Sequence, residues 1–142
     1  MTTVHQLLER KGRAIFRISP DEPVLEAIRS MAEHHVGALL VMREQDLVGI
    51  VSERDYARKV VLMGRSASDT PVSEIMTARV TTVGPDTAIE ECMRLMTERR
   101  IRHLPVIAGG RVAGVVSIGD LVKAVIEDQQ QEIEQLESYI RS

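Results

Sequence analysis

The chain has 142 residues, 44% of them apolar and 27% charged, enough for one ordinary domain with a hydrophobic core. A net charge of −3 offers no basic footprint for nucleic acid, and with no Trp, one Phe and two Tyr the platforms for base stacking are scarce. No run reaches the roughly 18 apolar residues of a membrane span. The start Met1-Thr-Thr-Val-His-Gln lacks the basic-then-apolar pattern of a secretory signal, so a cytoplasmic protein is expected, with the single cysteine, Cys92, as a buried hydrophobe on a helix.

In chain order, Val4 to Leu8 reads as a short amphipathic turn, and Ile15 to Ile18 as a short strand. Pro20-Asp21 is expected to open a helix carrying Val24, Ala27, Ile28 and Met31 at helical spacing. Gly37 to Met42 and Leu47 to Ser52 are apolar runs of strand length around a turn at Glu44 to Asp46, and a helix over about 53–63 follows. The same order then returns. Val72-Ser-Glu-Ile-Met resembles Val4-His-Gln-Leu-Leu, Val80 to Val83 is a strand, Pro85-Asp86 opens a helix with Ile89, Cys92, Met93 and Met96, and two strands flank Gly109-Gly110, a tight-hairpin pair. The last helix begins near 118.

The recurrence is gapless: residues 15–60 lie on 80–125 at a constant offset of 65. Arg29, Met31 and Glu33 match Arg94, Met96 and Glu98; Gly49, Val51, Ser52 and Asp55 match Gly114, Val116, Ser117 and Asp120. One such unit buries too little surface to stand alone. The expected fold is therefore mixed α/β: two pseudo-two-fold-related β-α-β-β-α repeats packed through their sheets, with an extended C-terminal helix. The divisions are 1–64 for the first repeat, 65–71 for a linker, 72–126 for the second repeat and 127–142 for the helix extension. Symmetry of this kind is expected to create a cleft between the repeats, where function is sought.

The sharpest segments are Gly49-Ile-Val-Ser-Glu-Arg-Asp55 and Gly114-Val-Val-Ser-Ile-Gly-Asp120. In each, a strand ends in Ser and a helix starts with Asp three residues on. The plain reading is a helix cap, in which Ser accepts from the third N–H and Asp sits at the positive end. The functional reading uses the same geometry: a helix start seats phosphate, a Ser hydroxyl donates to it, and one carboxylate accepts both hydroxyls of a ribose.

These motifs, with Ile101-Arg-His-Leu-Pro-Val106 upstream of the second, resemble the CBS domain, and the tandem pair resembles a Bateman module of the stand-alone kind. The resemblance spans about residues 4–126. It implies AMP, ADP, ATP or NAD(H), less often S-adenosylmethionine, bound between the repeats. By position, Asp55 and Asp120 would hold ribose, and Ser52 and Ser117 would meet phosphate. Arg102 and His103, before Leu104-Pro105, would meet phosphate too. The first repeat has Ala38 and Leu39 at the positions of His103 and Leu104, with no basic residue and no counterpart of Pro105; Arg54, whose own counterpart is Gly119, and Arg58 would compensate there. Ile15, Arg17, Val80 and Thr82 would line adenine pockets. The two sites are expected to be unequal.

Other chemistry finds little support. His34-His35 point about 100° apart on a helix and cannot readily share an ion, so no metal is expected. No nucleophile–base arrangement is apparent, so no catalytic residue is named and an enzyme is not expected. Val122, Ile126, Gln129, Ile133, Leu136 and Ile140 recur at alternating spacings of four and three, a coiled-coil-like seam. A homodimer is expected from that seam and from the resemblance. The resulting reading is an adenine-nucleotide sensor acting on a separate effector protein of unknown identity. Its rivals are a scaffold with an empty cleft and, more remotely, an enzyme acting on the nucleotide.

Overall fold

A computed structural model describes residues 2–141. The elements are α1 (Val4–Lys11), β1 (Arg17–Ile18), α2 (Val24–His34), β2 (Ala38–Arg43), β3 (Asp46–Ser52) and α3 (Glu53–Tyr56), which runs on as a π-helical turn Ala57–Val61. A 3-10 turn Val72–Glu74 follows, then α4 (Ile89–Arg99), β4 (His103–Ala108), β5 (Arg111–Ser117) and α5 (Ile118–Arg141). The chain divides into two compact units. One holds the chain up to Arg13, Thr82–Ala108 and the chain from Ala113 on; the other holds Ala14–Thr81 and Gly109–Val112.

In the unit of the first repeat, β1 pairs parallel with β2 and β2 antiparallel with β3. Helix α2 packs Val24, Ala27 and Met31 against Leu39, Val41 and Val51. The turn Val72–Glu74 closes this same core with Val72 and Ile75. Backbone bonds from Val72 N to Glu22 O (2.8 Å) and between Thr77 and Ile50 in both directions (2.9 and 3.0 Å) hold it there. Gly49 on β3 makes room for it: a Cβ at that position would stand 2.6 Å from Met76 Sδ and 3.0 Å from Thr77 O.

The unit of the second repeat repeats this arrangement with α1 in place of the turn. Val4, Leu7 and Leu8 join Ile89, Cys92, Met96, Leu104, Val106, Val116, Leu121 and Ala124 in its core. Val4 N donates to Thr87 O at 2.8 Å, and a Cβ on Gly114 would meet Leu8 Cδ2 at 2.9 Å. The segment preceding each repeat in sequence thus packs on the other repeat's strands: α1 on β5, and residues 72–77 on β3.

Several expectations need correction. The turn expected at Val4 is an eight-residue helix, closed by a capping box in which Thr3 Oγ1 accepts from Gln6 N and Gln6 Oε1 accepts from Thr3 N. The helices α2 and α4 begin at Val24 and Ile89, after Pro20-Asp21 and Pro85-Asp86 have formed turns. The strand expected over Ile15 to Ile18 shrinks to Arg17–Ile18, and that over Val80 to Val83 is absent. There, a single parallel bridge joins Val83 to Val106. The cause is Pro105. In the first repeat Leu40 N donates to Phe16 O at 3.1 Å; the twin donor would be the nitrogen of Pro105, which carries no hydrogen. The ladder stops after Val83 N to Pro105 O and Ile107 N to Val83 O.

Candidate functional site

Each repeat ends its last strand on the capping serine of the next helix. Ser52 Oγ accepts from Asp55 N at 3.3 Å, and Asp55 Oδ2 accepts from Ser52 N (2.9 Å) and Ser52 Oγ (3.0 Å). In the second repeat Ser117 Oγ accepts from Asp120 N at 3.2 Å, and Asp120 Oδ2 accepts from Ser117 N at 2.9 Å. The first N–H of each helix is also taken: Glu53 N donates to Gly37 O (3.1 Å) and Ile118 N to Arg102 O (2.9 Å). The reciprocal cap is therefore fully formed at both motifs. Both serines and both aspartates remain only partly buried.

Two lysines that the sequence reading passed over complete these clusters. Lys59 Nζ lies 3.0 Å from Asp55 Oδ1 and donates to Ile75 O at 2.8 Å. Lys11 Nζ, from α1, donates to Asp120 Oδ2 and to Val115 O, both at 2.7 Å. The first pair sits at i and i+4 and was visible in the sequence. The second joins residues 109 apart and had no local signal.

The electrostatics of the second cluster follow. Burial pushes the Asp120 carboxyl up, but hydrogen bonds from Lys11 and the Ser117 backbone, with the lysine charge, hold it below the usual aspartate value. His103, the first residue of β4, is pushed down chiefly by burial, against the pull of Asp120 and with help from Lys11 and Arg102. Its imidazole is thus mainly neutral near pH 7. The cluster holds one carboxylate, a lysine, a neutral histidine, a serine hydroxyl and, beside His103, the exposed Arg102. It offers donors to an anion and an acceptor to a pair of hydroxyls.

The remaining candidates are placed as follows. Pro105 and Leu39 are buried on β4 and β2, and Leu39 is part of its unit's core. Ala38, at the start of β2, is half-buried. Ile15 precedes β1, and Arg17 on β1 donates to the carbonyl of Glu44. Val80 and Thr82 lie in irregular chain. Arg54 is exposed on the first turn of α3. Among the described residues no group of three or more His, Cys, Asp or Glu could hold a metal ion, and no helix is long and apolar enough to cross a membrane. A polar groove of about 1020 Å³ between α1 and the middle of α5, flanked by His5, Arg10 and Asp128, does not include Ser117 or Asp120.

Two copies of one strand–Ser–x–x–Asp–helix unit in a single chain define a tandem-repeat module. The chain belongs to the CBS domain family, whose model matches residues 12–62 and 72–127. It is 41% identical over 149 residues to the mitochondrial CBS domain-containing protein CBSX3 of Arabidopsis thaliana, across 99% of this chain and 72% of that one. Its fold superposes on a protein with CBS domains from Burkholderia ambifaria MC40-6 with a TM-score of 0.87 and 55% identity, covering 90% of this chain and 96% of that one. It is also similar to the CBS domain protein PAE2072 from Pyrobaculum aerophilum, solved complexed with AMP: TM-score 0.75, 25% identity, 84% of this chain and 89% of that one.

Proposed function

We propose that this protein is a regulatory sensor that binds an adenine nucleotide, AMP, ADP, ATP or NAD(H), at its Ser–x–x–Asp motifs and signals to a separate effector protein. The observation that carries the reading is the second cluster. It gathers Asp120, Ser117, Lys11, His103 and Arg102 at the start of α5, in a family with an AMP-bound member. Asp120 would accept from the ribose hydroxyls, and Ser117, Arg102 and His103 would donate to phosphate. Asp55 and Ser52 would do the same in the first repeat, with Arg54 as the nearby cation. Ile15, Arg17 and Ala38, and Val80 and Thr82, would frame the two base sites, with the buried Leu39 and Pro105 fixing the strands that carry them. Binding would favour one arrangement of the chain over others, and so change what an effector meets. The reading assigns no catalytic step, takes a homodimer as the working form and places the protein in the cytoplasm, where a single buried thiol needs no partner.

One observation favours the rival, a scaffold whose motifs are only caps: both reciprocal caps are closed by the chain's own atoms. A thermal-shift panel with AMP, ADP, ATP, NAD, NADH and S-adenosylmethionine separates the two. A ligand at 100 times its dissociation constant adds about 2.7 kcal/mol, a rise of roughly 8–10 °C for a chain of this size. No rise with any of the six would leave the scaffold standing.

A further inference from the structure

From Gln129 to Arg141 every side chain of α5 is exposed. A helical segment of this length is marginal alone, yet it carries an apolar row that nothing in its own unit covers. Val122, Ile126, Ile133, Leu136 and Ile140 are 44–79% exposed. The row faces about a third of a turn away from Leu121 and Ala124, which are buried in the core. It continues past the globular unit without a break.

We infer that this row pairs with the same row of a second copy, and that the two helices run antiparallel. Ile126, Ile133 and Ile140 take the a positions and Val122, Gln129 and Leu136 the d positions. Lys123 and Glu137 are then at e, and Glu132 is at g. Between Lys123 and Arg141 the helix has five acidic residues and no basic one. A parallel, in-register pair sets Glu132 against the partner's Glu137 on both flanks. An antiparallel pair with a facing d gives six complete layers, among them Ile126 on the partner's Leu136 and Ile140 on the partner's Val122. It sets Lys123 against the partner's Glu137 twice, at the two ends of the flank where e faces e, and leaves one like-charge contact on the other flank, Glu132 with its own twin. The antiparallel pairing therefore turns two repulsions into two attractions and leaves no seam residue unmatched. Gln129, the polar layer, opposes the partner's Ile133 and penalises registers that would bury it among more apolar layers.

The area agrees. Five partly exposed apolar side chains at about 100 Å² each give on the order of 500 Å² per copy, or about 1,000 Å² per pair before the polar flanks are counted. Stable interfaces begin near 1,200 Å² in total. The seam is roughly 27 Å long, so the globular units stand at opposite ends of it.

The pairing does not depend on the nucleotide reading. The test is sedimentation equilibrium of the full chain with disulfide trapping. Ile126→Cys and Leu136→Cys proteins, differently mass-tagged, are mixed and oxidised; Cys92 is buried and does not interfere. The mixture should give the mixed disulfide, while Ile126→Cys alone should give little dimer. Lys123→Glu should weaken dimerisation by on the order of tenfold, and adding Glu137→Lys should restore it. Both sites are exposed, so folding is not at issue. A monomer at all concentrations, a dimer unaffected by Leu136→Asp, or efficient Ile126–Ile126 position crosslinking would each overturn the pairing. None of these results bears on whether AMP binds.

Discussion

Adding one methyl group at the twin glycines should have unequal effects. At Gly49 the new Cβ would meet Met76 Sδ at 2.6 Å and Thr77 O at 3.0 Å. The thioether can swing away, but Thr77 O cannot: it accepts from Ile50 N at 3.0 Å, while Thr77 N donates to Ile50 O at 2.9 Å. Relieving the clash means moving that bridge and, with it, Val72 and Ile75 in the core. At Gly114 the Cβ would meet only side-chain atoms of Leu8, at 2.9, 3.1 and 3.6 Å. Leu8 is itself buried, so its displacement costs something, but no backbone bond breaks. Overpacking costs about 1–3 kcal/mol, so Gly49→Ala belongs near 3 kcal/mol and Gly114→Ala near 1 kcal/mol. Thermal unfolding followed by circular dichroism should show a loss of roughly 9–12 °C for the first and 3–4 °C for the second. Leu8→Val should recover part of the Gly114→Ala loss, and Met76→Ala little of the Gly49→Ala loss. Equal losses, or a larger one at Gly114, would refute the assignment of α1 to β5 and of residues 72–77 to β3.

Lys11→Met should cost about 1 kcal/mol near neutral pH, since its pair with Asp120 is only a quarter to a third exposed. Asp120 is held below its unfolded value, so its contribution is present above that value and lost as pH falls through the folded one. The difference between variant and wild type, measured by urea unfolding across pH, should therefore shrink below about pH 4; a constant difference down to pH 2 would contradict the pairing. Pro105→Leu places a donor opposite Thr81 O, and hydrogen exchange should show one new slowly exchanging amide at residue 105, as at Leu40. The Cys92 thiol, pushed up to about 11 chiefly by burial, should resist Ellman's reagent in the folded protein and react fully in denaturant; rapid reaction of the native protein would mean that its core is open.

Much of the fold was legible because the chain states it twice. The constant offset aligned α2, β2, β3 and α3 with α4, β4, β5 and the start of α5, and the capping serines and aspartates stand where the motif put them. What escaped did so for identifiable reasons. The shortened pairing at Val80 to Val83 turns on one missing hydrogen at Pro105, which apolar patterning does not register. Helix α1 did carry a signature, Thr3 with Gln6 three residues on, but so short an apolar run reads as a turn unless the cap is weighed. The exchange of leading segments between repeats is a tertiary choice, marked only by two glycines. Of the candidate site, Ser117 and Asp120 were legible from local geometry, whereas Lys11 reaches Asp120 only once α1 has packed on β5.

Calorimetric titration of the full chain with AMP tests the central claim most directly. Wild-type protein should bind. Asp120→Ala, checked for folding by circular dichroism, should weaken binding by roughly ten- to a hundredfold through the loss of a charged acceptor for the ribose hydroxyls. Asp55→Ala should have the smaller effect, because its cluster has no counterpart of Arg102 or His103. Unchanged affinity in both variants, or no heat from AMP, ADP, ATP and NAD alike, would contradict the account.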